Sequence, residues 1–191
     1  MILDIIKKRR SIRKYKKTIL DSDIVREIAT CGTMYPSRGN KQPLIFYCVE
    51  NKAICTDIFN HILWGSKEVS YKLFADARFQ PSAYVLVAVN KAISKAGYEY
   101  EVGAAVQNML LCATEHEYAS LWVKSFEKKE IKKILKINHE IEPDSLVMLG
   151  IRDQDSEIIN YTDNTSVTIE KNDSLDMKVP KRATDDILFF I

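Results

Sequence analysis

YEYEVGAAVQNMLLCATEHE, residues 98–117, is the stretch on which the fold turns. Tyr98, Val102, Ala105, Met109 and Ala113 recur at helical spacing, which puts them on one face. Val106, Leu110, Leu111 and Cys112 widen that face around much of the cylinder. A helix apolar on most sides must be covered on most sides, so it belongs at a domain centre or a subunit interface.

Strands flank it. AYVLVAVN, residues 83–90, is almost wholly apolar and reads as a central strand covered on both faces. SLWVKSF, residues 120–126, and SLVMLGI, residues 145–151, read as strands, as does LIFYCVE, residues 44–50. EKKEIKKILKI, residues 127–137, reads as a surface helix with Ile131, Ile134 and Leu135 inward. Residues 51–75 read as helical with a break at Gly65. A further helix starts at Asp21, whose carboxylate caps the first turn while Leu20 and Val25 form a staple. Gly32 is its expected stop and Pro36 blocks continuation. Residues 2–9 form a short helix with Ile2, Ile5 and Ile6 on one side. The mixture indicates an α+β or three-layer α/β/α arrangement in one domain over residues 1–191. Residues 152–176 are polar and read as an excursion, with one strand possible at SVTIE, residues 166–170. A C-terminal arm spans about 177–191. It ends in DILFFI, where Leu188, Phe189, Phe190 and Ile191 gain roughly 1.5–3 kcal/mol each on burial, so the tail is expected to dock, a partner subunit being one place for it.

Hydrophobic residues make up 46% and charged residues 28% of the 191, an ordinary globular composition. No apolar run reaches the roughly 18–20 residues of a membrane span. The N-terminus has its apolar residues before its charges, the reverse of a secretory signal, so a cytoplasmic protein is expected. Cys31, Cys48, Cys55 and Cys112 form no C-x-x-C pair, and His61, His116 and His139 are scattered. Reduced thiols and no metal site are expected. There is no G-x-S-x-G, no Walker loop and no G-x-G-x-x-G, so neither hydrolysis by a nucleophile elbow nor a P-loop is indicated.

The net charge is +2, yet residues 7–17, KKRRSIRKYKK, hold 8 basic and no acidic residues; the remainder carries 20 basic against 26 acidic groups, a net of −6. A local basic patch argues against a general nucleic-acid binder. Within it, Arg9, Arg10, Ser11 and Arg13 are the donor types that surround a phosphate. The loop PSRGNKQP, residues 36–43, adds Ser37, Asn40 and Gln42 as short neutral donors and acceptors, with Gly39 allowing close backbone approach.

RRSIRKY, then YPSRGNKQP, then EVGAAVQNMLLCA, then VPKRATDDI resembles, in order and spacing, the nitroreductase family of FMN flavoproteins, from about residue 3 to residue 187. The resemblance implies a three-layer α/β/α homodimer with a mixed central sheet, a domain-swapped C-terminal extension and two FMN sites at the subunit interface. It implies that Arg9, Arg10, Ser11 and Arg13 hold the phosphate and ribityl chain. Pro36, Ser37, Arg38, Asn40 and Gln42 would come from the other subunit. Lys124 and Ser125 would lie at the flavin N5 and O4 edge, and Lys181 and Arg182 would reach the phosphate. No side chain is implied as catalytic, because flavin N5 carries the chemistry. NADH or NADPH would be the reductant and a small nitroaromatic or quinone-like molecule the acceptor, with ping-pong turnover. An FMN storage or sensor protein, or a dehalogenase or dehydrogenase on the same scaffold, are the other readings. No nucleic acid and no membrane are expected as partners. The chain departs from the family pattern at Lys124, where an acidic residue is common, at Ser125, where glycine is common, and at HEYAS and LGIR, which replace LGLGS and LGYP. Tyr35, Trp64, Phe74, Phe79 and Phe126 are candidate pocket walls, and Arg78 a candidate for the flavin pyrimidine.

Overall fold

The computed structural model describes residues 1–65, 71–161 and 167–191. Its centre is β3, Ala83–Asn90, buried along almost its whole length. It pairs antiparallel with β2, Leu44–Val49, from Leu44↔Val89 to Val49↔Tyr84. On its other side runs β5, Ile141–Arg152. The far edge of β5 is shared by β4, Ala119–Val123, and by the two-residue β1, Tyr15–Lys16. The β3–β5 register shifts between Val87 and Ala88, where Ser145 and Pro143 are the successive partners and Asp144 is the extra residue. Proline has no N–H for a ladder, so it sits naturally at such a bulge.

Strand alternation then sorts the side chains into two layers. Val85, Val87, Val147 and Leu149 pack on α2, Ser22–Thr33, and α4, Glu99–Glu115. Tyr84, Leu86, Leu146 and Met148 face α3, Lys52–Asn60, and α5, Lys128–Ile134. The short α1, Ile2–Lys8, touches α4 and buries none of its own residues. The α/β/α layering is therefore as the sequence pattern predicts. The central sheet is mixed only narrowly: its ladders are all antiparallel, and its parallel element among the described residues is the single bridge Ser11↔Ser120.

Other expectations hold in part. Asp21 caps α2 by accepting from the Asp23 N–H at 2.9 Å, and Leu20 and Val25 are buried as the staple requires. Gly32 does not stop that helix, which runs on to Thr33. Its lack of a side chain serves packing instead, since a Cβ there would meet Met109 Cγ at 2.8 Å. The α3 helix ends at Asn60, and residues 71–75 form a 3-10 turn; residues 66–70 of the helix expected over 51–75 lie outside the described residues. The turn after α4 forms without glycine because Glu117 takes φ +60°.

The 152–176 excursion is more ordered than its polarity suggests. β6, Ser156–Tyr161, lies parallel to β8, Met177–Arg182, and β7, Glu170–Lys171, antiparallel to it, making a small mixed sheet. Of the strand possible at residues 166–170, only Glu170 belongs to one, as the first residue of β7; residues 167–169 are irregular and residue 166 lies outside the described residues. The tail does not dock on the described residues of its own chain: Phe189 and Phe190 are 74% and 94% exposed. Among the described residues no helix is long and apolar enough to cross a membrane.

Candidate functional site

After α1 the chain turns extended at Arg9, with ψ 128°, and Ile12 donates its N–H to the Ser120 carbonyl at 3.0 Å. Extended backbone sends alternate side chains to opposite faces. Arg13 enters a cleft of about 200 Å³ at the edge of β4, walled by Trp64, Tyr71 and Trp122 and bordered by Lys124 and Ser125. Arg10 goes the other way, to a separate depression beside Glu117 and Arg152. The ring of donors expected from Arg9, Arg10, Ser11 and Arg13 is thus split within one chain: alternation removes Arg10 from the Arg13 side.

Arg13 is the centre of this site. Its guanidinium lies 4.5 Å from the centroid of the Tyr71 ring. One of its amino groups donates to the Ser11 carbonyl at 3.2 Å and to Met177 Sδ at 3.4 Å. Its backbone N–H donates to Gln154 Oε1 at 2.8 Å. Burial pushes its pKa below the ordinary arginine value, with Tyr71 and Tyr15 opposing. No carboxylate pairs with it among the described residues, nor with Arg9 or Arg10. Arginine is rarely buried unless paired, and Arg13 is half-buried with only neutral partners among the described residues.

The rim is polar and oriented. Trp122 Nε1 donates to Ser145 Oγ at 2.8 Å, and Ser145 Oγ donates to Asp144 Oδ1 at 2.7 Å. Asp144 is buried and lies 3.4 Å from Lys124 Nζ. Lys124 is therefore held by a carboxylate at the bulge. The Ser125 carbonyl accepts from the Leu63 N–H at 2.9 Å, fixing the strand end beside Trp64. The Trp64 indole N–H is buried and has no partner among the described residues. An orphaned donor and an unpaired cation in one aromatic cleft suit a ligand with a planar ring and an anionic group. Sequence reasoning missed Tyr71, Gln154, Asp144 and Met177; Asp144 alone has a local signal, the neighbouring Pro143, which marks the bulge where Asp144 meets Lys124.

The remaining sequence-derived residues stand apart from this cleft. Pro36, Ser37, Arg38, Asn40 and Gln42 form a tight loop at the C-terminal end of α2 and do not line it. Gly39, Asn40 and Gln42 all have positive φ, and Ser37 Oγ accepts from the Gln42 N–H at 3.1 Å. Gln42 Nε2 donates to Asn40 Oδ1 at 2.9 Å, and buried Glu101 accepts the Arg38 N–H at 2.8 Å. The loop is a rigid display of polar groups pinned to α4. Lys181 and Arg182 are exposed at the end of β8. They lie four and five residues beyond Met177, which touches Arg13, so roughly 13–17 Å along a strand. Of the candidate walls, only Trp64 lines the cleft. Phe74 and Phe126 are core, and Tyr35 is buried with its hydroxyl accepting from the Leu44 N–H. Phe79 lies beneath Arg78 and Lys14. Arg78 is committed to Asp76 at 2.6 Å, which holds that carboxyl down at about 2. A larger depression, about 630 Å³, borders the small sheet, but none of the sequence-derived residues lines it.

A sheet between two helical layers, with an unpaired arginine in an aromatic cleft at its edge, defines an α+β protein built to hold an anionic, ring-bearing group. The chain belongs to the nitroreductase family, a family of oxidoreductases: a sequence model described as the Nitroreductase family matches residues 6–151. A protein of Archaeoglobus fulgidus, provisionally named NADH dehydrogenase/NAD(P)H nitroreductase, is 27% identical over 155 residues, covering 78% of this chain and 83% of its own length. The crystal structure of a nitroreductase family protein from Clostridium novyi superposes with TM-score 0.68 at 26% identity, covering 80% of this chain and 86% of that one. A Desulfovibrio desulfuricans protein described as a nitroreductase in complex with FMN superposes with TM-score 0.66 at 24% identity, covering 80% and 87%.

Proposed function

We propose that the chain is an FMN-dependent NAD(P)H oxidoreductase that reduces a small organic acceptor, nitroaromatic or quinone-like. The carrying observation is Arg13, half-buried without a carboxylate partner among the described residues, in the aromatic cleft beside Lys124 and Ser125. When bound, FMN supplies two-electron chemistry at N5, taking hydride from NADH or NADPH and passing electrons to the acceptor. The protein's own share is position and electrostatics. Arg13 holds the phosphate, with Arg9 and Ser11 on the same side of the extended segment. The backbone at Lys124 and Ser125 addresses the ring edge, and Trp64 and Trp122 exclude water.

At about 200 Å³ the cleft is smaller than the roughly 300–1,000 Å³ of small-molecule sites. We therefore take it as half a site, completed in a homodimer. Pro36, Ser37, Arg38, Asn40 and Gln42, with Lys181 and Arg182, come from a second copy. Reductant and acceptor share one face of the ring, so turnover is ping-pong. The four unbridged cysteines suit the reducing cytoplasm, where NAD(P)H is also found.

The test is the absorption spectrum of the purified chain and its steady-state NAD(P)H oxidation with a nitroaromatic or quinone. Parallel double-reciprocal lines are expected. A colourless protein that cannot be reconstituted with FMN ends this reading, and bound flavin without turnover selects a storage or sensor role.

A further inference from the structure

Two helical pairs of metal-ligating residues meet away from the aromatic cleft. Glu27 and Cys31 stand four apart on α2, and Cys112 and His116 stand four apart on α4 and at its C-terminal cap. Residues at that spacing share one helix face. The two faces turn toward each other. Glu27 Oε2 lies 3.2 Å from His116 Nε2, and one ligand atom from each of Glu27, Cys112 and His116 falls within 4.8 Å of the others. The Cys31 and Cys112 side chains are in hydrogen-bond contact.

This convergence is built into the helix packing. Gly32, next to Cys31, has no side chain where Met109 Cγ and Sδ would meet a Cβ at 2.8 and 2.9 Å, so α2 and α4 lie close there. Asn108 Nδ2 donates to the Cys31 carbonyl at 3.3 Å, adding a second tie at the same level. Met109 and Ala113 are buried against α2, while Cys31, Cys112 and His116 sit half-buried at the groove edge and Glu27 faces solvent. An ion has an entry path from the Glu27 side.

We propose that Glu27, Cys31, Cys112 and His116 form a structural site for a soft divalent cation, zinc by the chemistry of its donors, which staples α2 to α4. Two thiolates, an imidazole and a carboxylate are a tetrahedral zinc set. Bonds of about 2.0–2.3 Å require ligand atoms about 3.3–3.8 Å apart. The Glu27–His116 pair is already near that separation at 3.2 Å, the Cys112 thiol lies within 4.8 Å of both, and Cys31 joins them through its contact with Cys112. Each thiol releases its proton on binding. Two thiolates and a carboxylate against the dication leave a net charge of −1, with the imidazole neutral and its Nε2 lone pair on the metal. Pro36 follows Cys31 by five residues, so the staple also steadies the base of the 36–42 loop.

The experiment treats the purified full chain with chelator, then titrates it with Co²⁺ and back-titrates with Zn²⁺. Absorption is read at wavelengths longer than flavin absorbs, so the reading does not depend on flavin content. One equivalent of Co²⁺ per chain should raise tetrahedral d–d bands that Zn²⁺ bleaches. Cys112→Ser and His116→Ala should each weaken zinc binding at least tenfold, with Glu27→Gln a smaller loss. His116 and Glu27 are not core residues, so those variants fold even if Cys112→Ser does not. Absence of stoichiometric uptake, uptake unchanged in His116→Ala, or a Cys31–Cys112 disulfide in protein isolated under reducing conditions would each overturn the site.

Discussion

The ring of Tyr15 occupies the space a side chain on Gly150 would need: a Cβ there would meet Cδ1 at 2.5 Å, Cγ at 3.0 Å and Cβ at 3.2 Å. Tyr15 is 1% exposed and its hydroxyl donates to the Ile12 carbonyl at 2.5 Å. The ring cannot move aside, and it anchors the end of the segment that carries Arg13. Gly150→Ala should therefore destabilise by about 3 kcal/mol, the upper end of overpacking costs, read from urea midpoints. In a Tyr15→Leu background the same change should cost much less. Equal costs in both backgrounds would place the strain elsewhere.

Buried tyrosines make the fold sensitive to alkali. Burial raises the pKa of Tyr15 far above the ordinary 10.0, with Arg13 opposing. Burial, then Cys55 and Tyr15, raises that of Tyr84, whose hydroxyl has no partner among the described residues. In the unfolded chain both phenols lose their protons near pH 10; in the folded chain they keep them. Stability from these groups is complete below pH 10 and falls above it, by about 1.4 kcal/mol per pH unit for each ring. Urea midpoints measured from pH 9 to 11 should show that slope, and Tyr15→Phe should make it shallower. A slope unchanged in Tyr15→Phe removes Tyr15 from the account.

The two arginines of the basic segment should separate in flavin titrations. Arg13 lies in the cleft and Arg10 lines the opposite depression. Arg13→Ala should cost about 1.5–3 kcal/mol of FMN affinity, the scale of a charged hydrogen bond, or roughly 10- to 150-fold in Kd. Arg10→Ala should cost less than Arg13→Ala. Equal losses would mean that both reach the phosphate, as the sequence motif alone implies.

How far the sequence is legible follows from what each signal depends on. β3 and α4 are readable because burial on both sides leaves an apolar run and a wide helical stripe. The direction of Arg10 is not readable from RRSIR, because it depends on extended backbone set by the Ile12–Ser120 bond, made with a residue over 100 positions away. β6 is obscured because Glu157 and Asn160 keep the segment polar, although Ile158 and Ile159 are β-branched. The Glu27, Cys31, Cys112 and His116 group has a local trace, an i, i+4 pair on each of two helices, but nothing local says that those helices meet. Gly32 reads as a stop by its conformational freedom, whereas its actual role is an absence of volume that only Met109 reveals.

The C-terminal tail carries the last prediction. Ile187, Leu188, Phe189, Phe190 and Ile191 are all more than half exposed, and α1 leaves Ile2 and Leu3 more than half exposed too. Contiguous apolar surface of this kind marks an interface on a folded protein. Each such side chain gains roughly 1.5–3 kcal/mol when buried, but association and ordering of the arm offset much of that gain. Deleting residues 185–191 should thus weaken self-association at least tenfold rather than by the summed burial. Sedimentation equilibrium on full-length and shortened chains measures this directly. On the proposed function, in which Lys181 and Arg182 come from a second copy, retention of FMN should fall with it. A dimer dissociation constant unchanged by the deletion, or a full-length chain that is monomeric at micromolar concentration, would mean that these side chains serve some other surface.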